Sequence, residues 1–187
     1  MKRSLIIVAV LISLAPVAGC KKAAGPQAAA PKPVQRVTNA ALGIAIADLP
    51  QGFRVVENND DGIILDRGSE TDATLTITAG PLQPQGVNLI QAVNDEKPAF
   101  EAMKGGKFLG YRELRTPIGT AYTVRGRRAG EAGPQEIARV LTLDPSASRL
   151  LTLSYVYRAD EDTKTRMEEL LDVLAQIEPF ETKPAGS

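Results

Sequence analysis

Residues 74–78, TLTIT, put Leu75 and Ile77 on one side of an extended chain and Thr74, Thr76 and Thr78 on the other, the period-two pattern of a half-buried strand. The same alternation recurs in LGIAI from Leu42, FRVV from Phe53, GIILD from Gly62, KFLGYREL from Lys107, TAYTVRGR from Thr120, IARVLTL from Ile137 and RLLTLSYVYR from Arg149. About eight strands follow. The last is apolar on both faces and is expected at the centre of a sheet covered from both sides. NNDDG at 58–62, TPIGT from Thr116 and DPSAS from Asp144 carry the turn chemistry of tight connections. Strands joined by such short links pair antiparallel.

Two helical patterns interrupt and close this sheet. Asn88 to Lys104 carries Leu89, Val93, Phe100 and Met103 on one side, stops at Gly105 and Gly106, and contains Pro98, which is expected to kink it or begin its second half. From Asp160 to Ile177 the apolar stripe is Met167, Leu170, Leu171, Leu174 and Ile177, with Asp160 and Asp162 at the positive end of the dipole and Pro179 as the stop. A sheet needs cover, so both stripes are expected to face it. The fold class is α+β, a mainly antiparallel sheet with helices packed on it.

Ahead of the domain stands a different grammar. Lys2 and Arg3 precede an apolar run from Leu5 to Ala15, shorter than the roughly 20 residues of a membrane-spanning helix and matched to a signal-peptide core. Pro16 breaks the run, and VAGC follows at 17–20 with the chain's single cysteine. VAGC resembles the lipobox of bacterial lipoproteins. The resemblance implies cleavage between Gly19 and Cys20 and a diacylglyceryl group on the Cys20 sulfur, giving a lipid-anchored chain on the exported side of the membrane. Lys21 rather than Asp after the cysteine implies, in a didermal cell, the periplasmic face of the outer membrane.

KKAAGPQAAAPKPVQRV, residues 21–37, has no face to bury and is expected to be a tether spanning on the order of 20–25 Å. Its cations Lys21, Lys22, Lys32 and Arg36 have no opposing acid and could meet anionic headgroups or simply be solvated. The expected organisation is therefore a removed leader over 1–19, an acylated Cys20 and tether over 20–37, one globular domain over 38–180 and an unstructured tail over 181–187.

Composition narrows the chemistry. Acidic and basic residues are equal at 22 each, and no basic excess points to nucleic acid. The chain has no histidine and one cysteine, which removes Ser-His-Asp and Cys-His catalysis, His- or Cys-ligated zinc and haem, and any internal disulfide. No cofactor is expected. An EF-hand register on ENNDDG, with its glycine at Gly62, would need a glutamate where Gly68 stands, so no metal site is expected there. GGK at 105–107 lacks the spacing of a phosphate loop.

The order of elements, with LPQGF at Leu49–Phe53 after an early strand, resembles the PsbP-like α/β/α sandwich found in many small bacterial lipoproteins, over roughly residues 40–178. That resemblance implies a binding scaffold without a catalytic signature, since its members dock onto photosystem components, small GTPases or cell-envelope proteins. The one charge asymmetry of the domain lies at 104–128, where Lys104, Lys107, Arg112, Arg115, Arg125, Arg127 and Arg128 face only Glu113. Arg112, Arg115, Arg125, Arg127 and Arg128 form a candidate interaction strip for an acidic partner, anionic lipid or polysaccharide; the alternative is neutralisation by the acidic closing helix. The leading expectation is a non-enzymatic adaptor bound to another envelope protein. A small-molecule or lipid carrier and a histidine-free hydrolase are the rivals.

Overall fold

The computed structural model describes residues 34–68, 73–144 and 148–180. The leader, the tether up to residue 33, most of the DPSAS turn and the tail from residue 181 lie outside the described residues.

Ten strands and two helices follow in the order β1 (Val37–Asn39), β2 (Ile44–Ile46), β3 (Arg54–Asn59), β4 (Gly62–Asp66), β5 (Thr74–Ala79), α1 (Leu89–Glu101), β6 (Lys107–Thr116), β7 (Gly119–Gly130), β8 (Gly133–Leu143), β9 (Leu150–Arg158), α2 (Thr163–Ala175) and β10 (Ile177–Pro179). Seven of the strands make one sheet in the order β3-β4-β5-β9-β8-β7-β6, antiparallel throughout. The expected central strand is β9, fourth of the seven. Two strands arise outside the alternating runs: β1 and β10, three residues each, flank β2 in a small second sheet. Pro179 therefore does not stop a helix. The second helix ends at Ala175, and Pro179 sits opposite Ile44 at the outer edge of that small sheet, where a missing N–H costs no ladder bond.

Period-two alternation sorts β9 onto two cores. Leu151, Leu153, Tyr155 and Tyr157 enter a core shared with Leu170, Val173 and Leu174 of α2 and with Ile44, Ile46 and Ile177 of the small sheet. Leu150 and Val156 turn the other way, toward Val93 and Phe100 of α1. The result is an α/β/α sandwich. Each side chain removed from water in this way stabilises the fold by about 1.5–3 kcal/mol before chain entropy is counted.

Both helices begin on side-chain caps. Asn88 Oδ1 accepts from the Gln91 N–H at 3.1 Å, and Asp162 Oδ1 accepts from Lys164 N–H at 3.1 Å. The first helix runs on through Pro98 as a single element. It is pinned to the sheet by Arg139, whose guanidinium bonds Glu96 at 2.5 Å and lies 5.0 Å from the Phe100 ring centre.

Seven strands span roughly 29 Å at the usual spacing, whereas a helix with its side chains is only about 10–12 Å wide. On the α2 face the small sheet and α2 share the cover, and the margin at β6–β7 is left as a cleft.

Candidate functional site

The five arginines of the candidate strip are neighbours in sequence but not on one surface. In the β6–β7 ladder Arg112 pairs with Thr123 and Arg115 with Thr120, while Arg125 pairs with Ala138 across β7–β8 and Arg127 with Glu136. Residues opposite each other share a face and successive residues do not. Arg112, Arg125 and Arg127 consequently face α2, with Lys107 beside Arg127, while Arg115 and Arg128 face the α1 side.

Glu136 organises the α2-facing half. Its side chain is only 2 % exposed, and five donors converge on it. Oε1 accepts from Arg127 Nε at 3.0 Å and Arg127 Nη2 at 2.6 Å. Oε2 accepts from Arg125 Nη2 at 3.0 Å, the Tyr157 hydroxyl at 3.1 Å and the Thr163 hydroxyl, at the start of α2, at 3.2 Å. Burial pushes this carboxyl up, but the hydrogen bonds from Arg127, Arg125 and Tyr157 outweigh it and hold it below the ordinary carboxylate range. Burial, with the Glu136 charge alongside, pushes the Tyr157 hydroxyl up to about 12. A carboxylate so saturated has no lone pair or proton to lend to a reaction.

Glu169 of α2 and Glu161, just ahead of the helix, are engaged elsewhere. Glu169 bonds Arg67, Arg166 and the Tyr155 hydroxyl, and Glu161 bonds Arg166. Among the described residues the ion pairs of the strip are therefore made by Arg125 and Arg127 with Glu136 of β8 and by Arg115 with Glu113 of β6, at 3.9 Å, and none with an acid of the closing helix. Glu136 carried a signal in the sequence: it is in phase with Ala138 and Val140, which point into the core.

Two cations per acid leave the α2-facing group with a positive excess. Arg112 is exposed and has no ion pair among the described residues, and Arg125 Nε is buried without a hydrogen-bond partner among them. Both line the cleft at the sheet margin, about 370 Å³ in volume, whose apolar walls are Leu109 and Leu114 of β6 and Met167 and Leu171 of α2. Glu136 is not among the lining residues. The remaining strip arginines have modest local partners: Arg128 Nε donates to Gln135 Oε1 at 2.9 Å, and Arg115, 83 % exposed, donates to the Thr120 hydroxyl at 3.0 Å. Gly19 and Cys20 lie outside the described residues.

No protein-family model and no curated protein sequence matches the chain. Solved structures do. The chain is similar to LpqN of Mycobacterium tuberculosis, described as involved in cell envelope biogenesis (14 % identity, TM-score 0.53, covering 79 % of this chain and 85 % of that one). It is similar to the cyanobacterial PsbP of Synechocystis (12 %, TM-score 0.55, 83 % and 98 %) and to the yeast Ran-binding protein Mog1p of Saccharomyces cerevisiae (10 %, TM-score 0.54, 79 % and 95 %). It also spans half the length of a Bacteroides thetaiotaomicron protein (10 %, TM-score 0.57, 82 % of this chain). At these identities the likeness is one of fold, and the fold is that of PsbP and Mog1.

Proposed function

We propose that the chain is a lipid-anchored envelope lipoprotein whose folded domain binds another envelope protein and catalyses no reaction. Residues 1–19 are the removed leader, Cys20 carries the lipid, the tether runs from Cys20 to Arg36 rather than to Val37, which is buried as the first residue of β1, the binding domain spans 37–180, and 181–187 are a tail. Two or three acyl chains on Cys20 hold a protein at a bilayer far more firmly than the single chain that binds only reversibly. The exported side is the location this reading assigns, with the periplasmic face of the outer membrane preferred in a didermal cell.

The observation that carries the non-enzymatic reading is the state of Glu136: this buried carboxylate is fully hydrogen-bonded and does not line the cleft. The fold supports a binding role, because Mog1p is a Ran-binding protein and LpqN is involved in cell envelope biogenesis. A carrier of a small anionic ligand is the second reading, favoured by the apolar cleft with Arg112 and Arg125 on its lining.

The test is crosslinking in living cells with the anchored chain and with Cys20→Ala, followed by identification of attached proteins and mass analysis of the recovered N-terminus. An acylated cysteine and a discrete protein attached only to the anchored form are expected. An unmodified N-terminus overturns the anchor, and a copurifying small molecule without any protein moves the carrier reading into first place.

A further inference from the structure

The outer strand β6 has the length, the charge and the neighbouring cleft of a strand acceptor. It closes the seven-stranded sheet on one side, and among the described residues nothing pairs with its outer edge. A strand in that position presents about half of its N–H and C=O groups to solvent, a template for another extended chain. At ten residues it is longer than the opposite edge strand β3, of six. That opposite edge is also tied down: Asn58 Nδ2 donates to Thr38 O at 3.0 Å, and Asn39 Nδ2 donates to Asn59 O at 2.8 Å.

The side chains along β6 alternate in a readable code. Tyr111, 59 % exposed, packs edge-on against Tyr122 on the α1 side, with ring centres 6.2 Å apart. Arg112 points to the α2 side, Glu113 accepts from the Tyr122 hydroxyl at 3.3 Å, Leu114 forms a wall of the cleft, and Arg115, exposed on the α1 side, makes only a long 3.9 Å contact with Glu113. The bulge between Phe108 and Gly110 leaves Leu109 at the mouth of the cleft, 37 % exposed. Lys107, Arg112 and Arg115 outnumber the single acid of the strand.

We propose that β6 takes up an extended, acidic segment of the partner protein as an eighth strand, by main-chain pairing along its free edge. The inference rests on the protein-binding reading above. Main-chain bonds supply affinity in such pairing, and the alternating side chains supply selectivity. The added strand places an apolar residue beside Tyr111, an acid beside Arg112, an apolar residue over Leu114 in the cleft, and an acid beside Arg115. Arg125 of β7, on the lining of the same cleft, adds to its positive charge. The chain's own segment at 21–33 does not fit, since Lys21, Lys22 and Lys32 are its only charges.

A photo-crosslinking residue is placed at Tyr111 and, separately, at Val56 on β3, in the anchored chain in living cells, and the captured partner segment is sequenced. The expected product at position 111 is an acidic segment in which an apolar residue and an acid stand together, one residue intervenes, and an apolar residue and an acid follow, in the register of Tyr111, Arg112, Leu114 and Arg115. Capture should fall about tenfold in Arg112→Glu/Arg115→Glu, whose side chains take no part in the Glu136 network, and should weaken with rising salt. Three results overturn the proposal: a basic or helical segment at 111, a second copy of this chain at 111, or capture unaffected by the charge reversal. A partner captured through Val56 alone removes this strand-acceptor role and leaves the protein-binding function standing. No protein captured from either position removes both.

Discussion

Glu136 and Tyr157 stand directly opposite each other on adjacent strands β8 and β9, and the Tyr157 hydroxyl closes a 3.1 Å hydrogen bond onto Glu136 Oε2. The bond joins the middle of the sheet to the basic margin, because the same carboxylate holds Arg125 and Arg127. Removing the acid leaves the buried Tyr157 hydroxyl without its acceptor, while the half-exposed arginines can turn to water. Glu136→Ala is therefore expected to cost about 2–3 kcal/mol, near the lower end for a broken buried pair. Tyr157→Phe leaves four donors on the acid and should cost only about 0.5–1.5 kcal/mol. Urea midpoints at fixed slope give both values; equal costs would show that the carboxylate is not the centre of the network.

The same pair contributes to both limbs of the pH-stability curve. The Glu136 carboxyl titrates below its unfolded value, so its contribution is complete above the ordinary carboxylate range and disappears as the pH falls through the depressed folded value. Tyr157 is shifted the opposite way, to about 12. Its contribution is complete below the unfolded tyrosine value of about 10 and disappears as the pH rises through the folded one. Glu136→Gln should flatten the acid limb and Tyr157→Phe the alkaline limb in thermal midpoints measured across pH. An unchanged acid limb in Glu136→Gln would assign that limb to Asp66, Asp160 and Asp162, whose carboxyls are also held low.

The strands were legible in the sequence wherever one face is buried, as in TLTIT, and the double-sided burial of β9 was legible because apolar residues fill both phases of the alternation. The strands β1 and β10 were not, since three residues are too few to establish a period, and Pro179 looked like a helix stop. The candidate site was half legible. A run of cations between residues 104 and 128 is visible at once, but it takes the ladder register to show that Arg112, Arg125 and Arg127 face one helix while Arg115 and Arg128 face the other side. Glu136 was missed because it stands just ahead of the IARVLTL run, and a lone acid there announces burial only through its phase with Ala138 and Val140.

Contact between α1 and the sheet depends on an absent side chain. A Cβ on Gly126 would lie 2.2 Å from Cδ1 of Phe100, a fully buried ring, so the aromatic sits directly against the backbone of β7 at this glycine. Gly126→Ala must displace the ring or the helix and is expected to cost about 1–3 kcal/mol, the range for overpacking. Phe100→Ala should cost about 3–5 kcal/mol through the cavity it leaves. In the double variant the clash is gone, so the two costs should fall well short of additivity in a double-mutant cycle read from denaturation. Strict additivity would show that the glycine is required for another reason.

The LPQGF element owes its glycine to two separate requirements. Gly52 adopts φ +93°, a conformation that side chains rarely accept, and a Cβ there would come within 2.8 Å of Arg67 Nη2. That guanidinium is not free to retreat: it is held by Glu169 of α2 and sits 5.6 Å from the centre of the Phe53 ring. Gly43 also has a positive φ, +67°, but a Cβ there meets nothing within 4 Å. The left-handed backbone alone costs about 1–2 kcal/mol for an ordinary residue, and asparagine bears it best. Gly43→Asn is accordingly expected to cost less than about 1 kcal/mol, whereas Gly52→Ala should cost 2 kcal/mol or more (about twice the backbone term) and should also loosen the Arg67–Glu169 contact. Pairing Gly52→Ala with Arg67→Ala removes the steric half of the penalty and leaves the backbone half. Denaturation of the two single variants and the double variant separates these contributions, and a Gly52→Ala cost no larger than that of Gly43→Asn would show that the Arg67 approach places no demand on the turn.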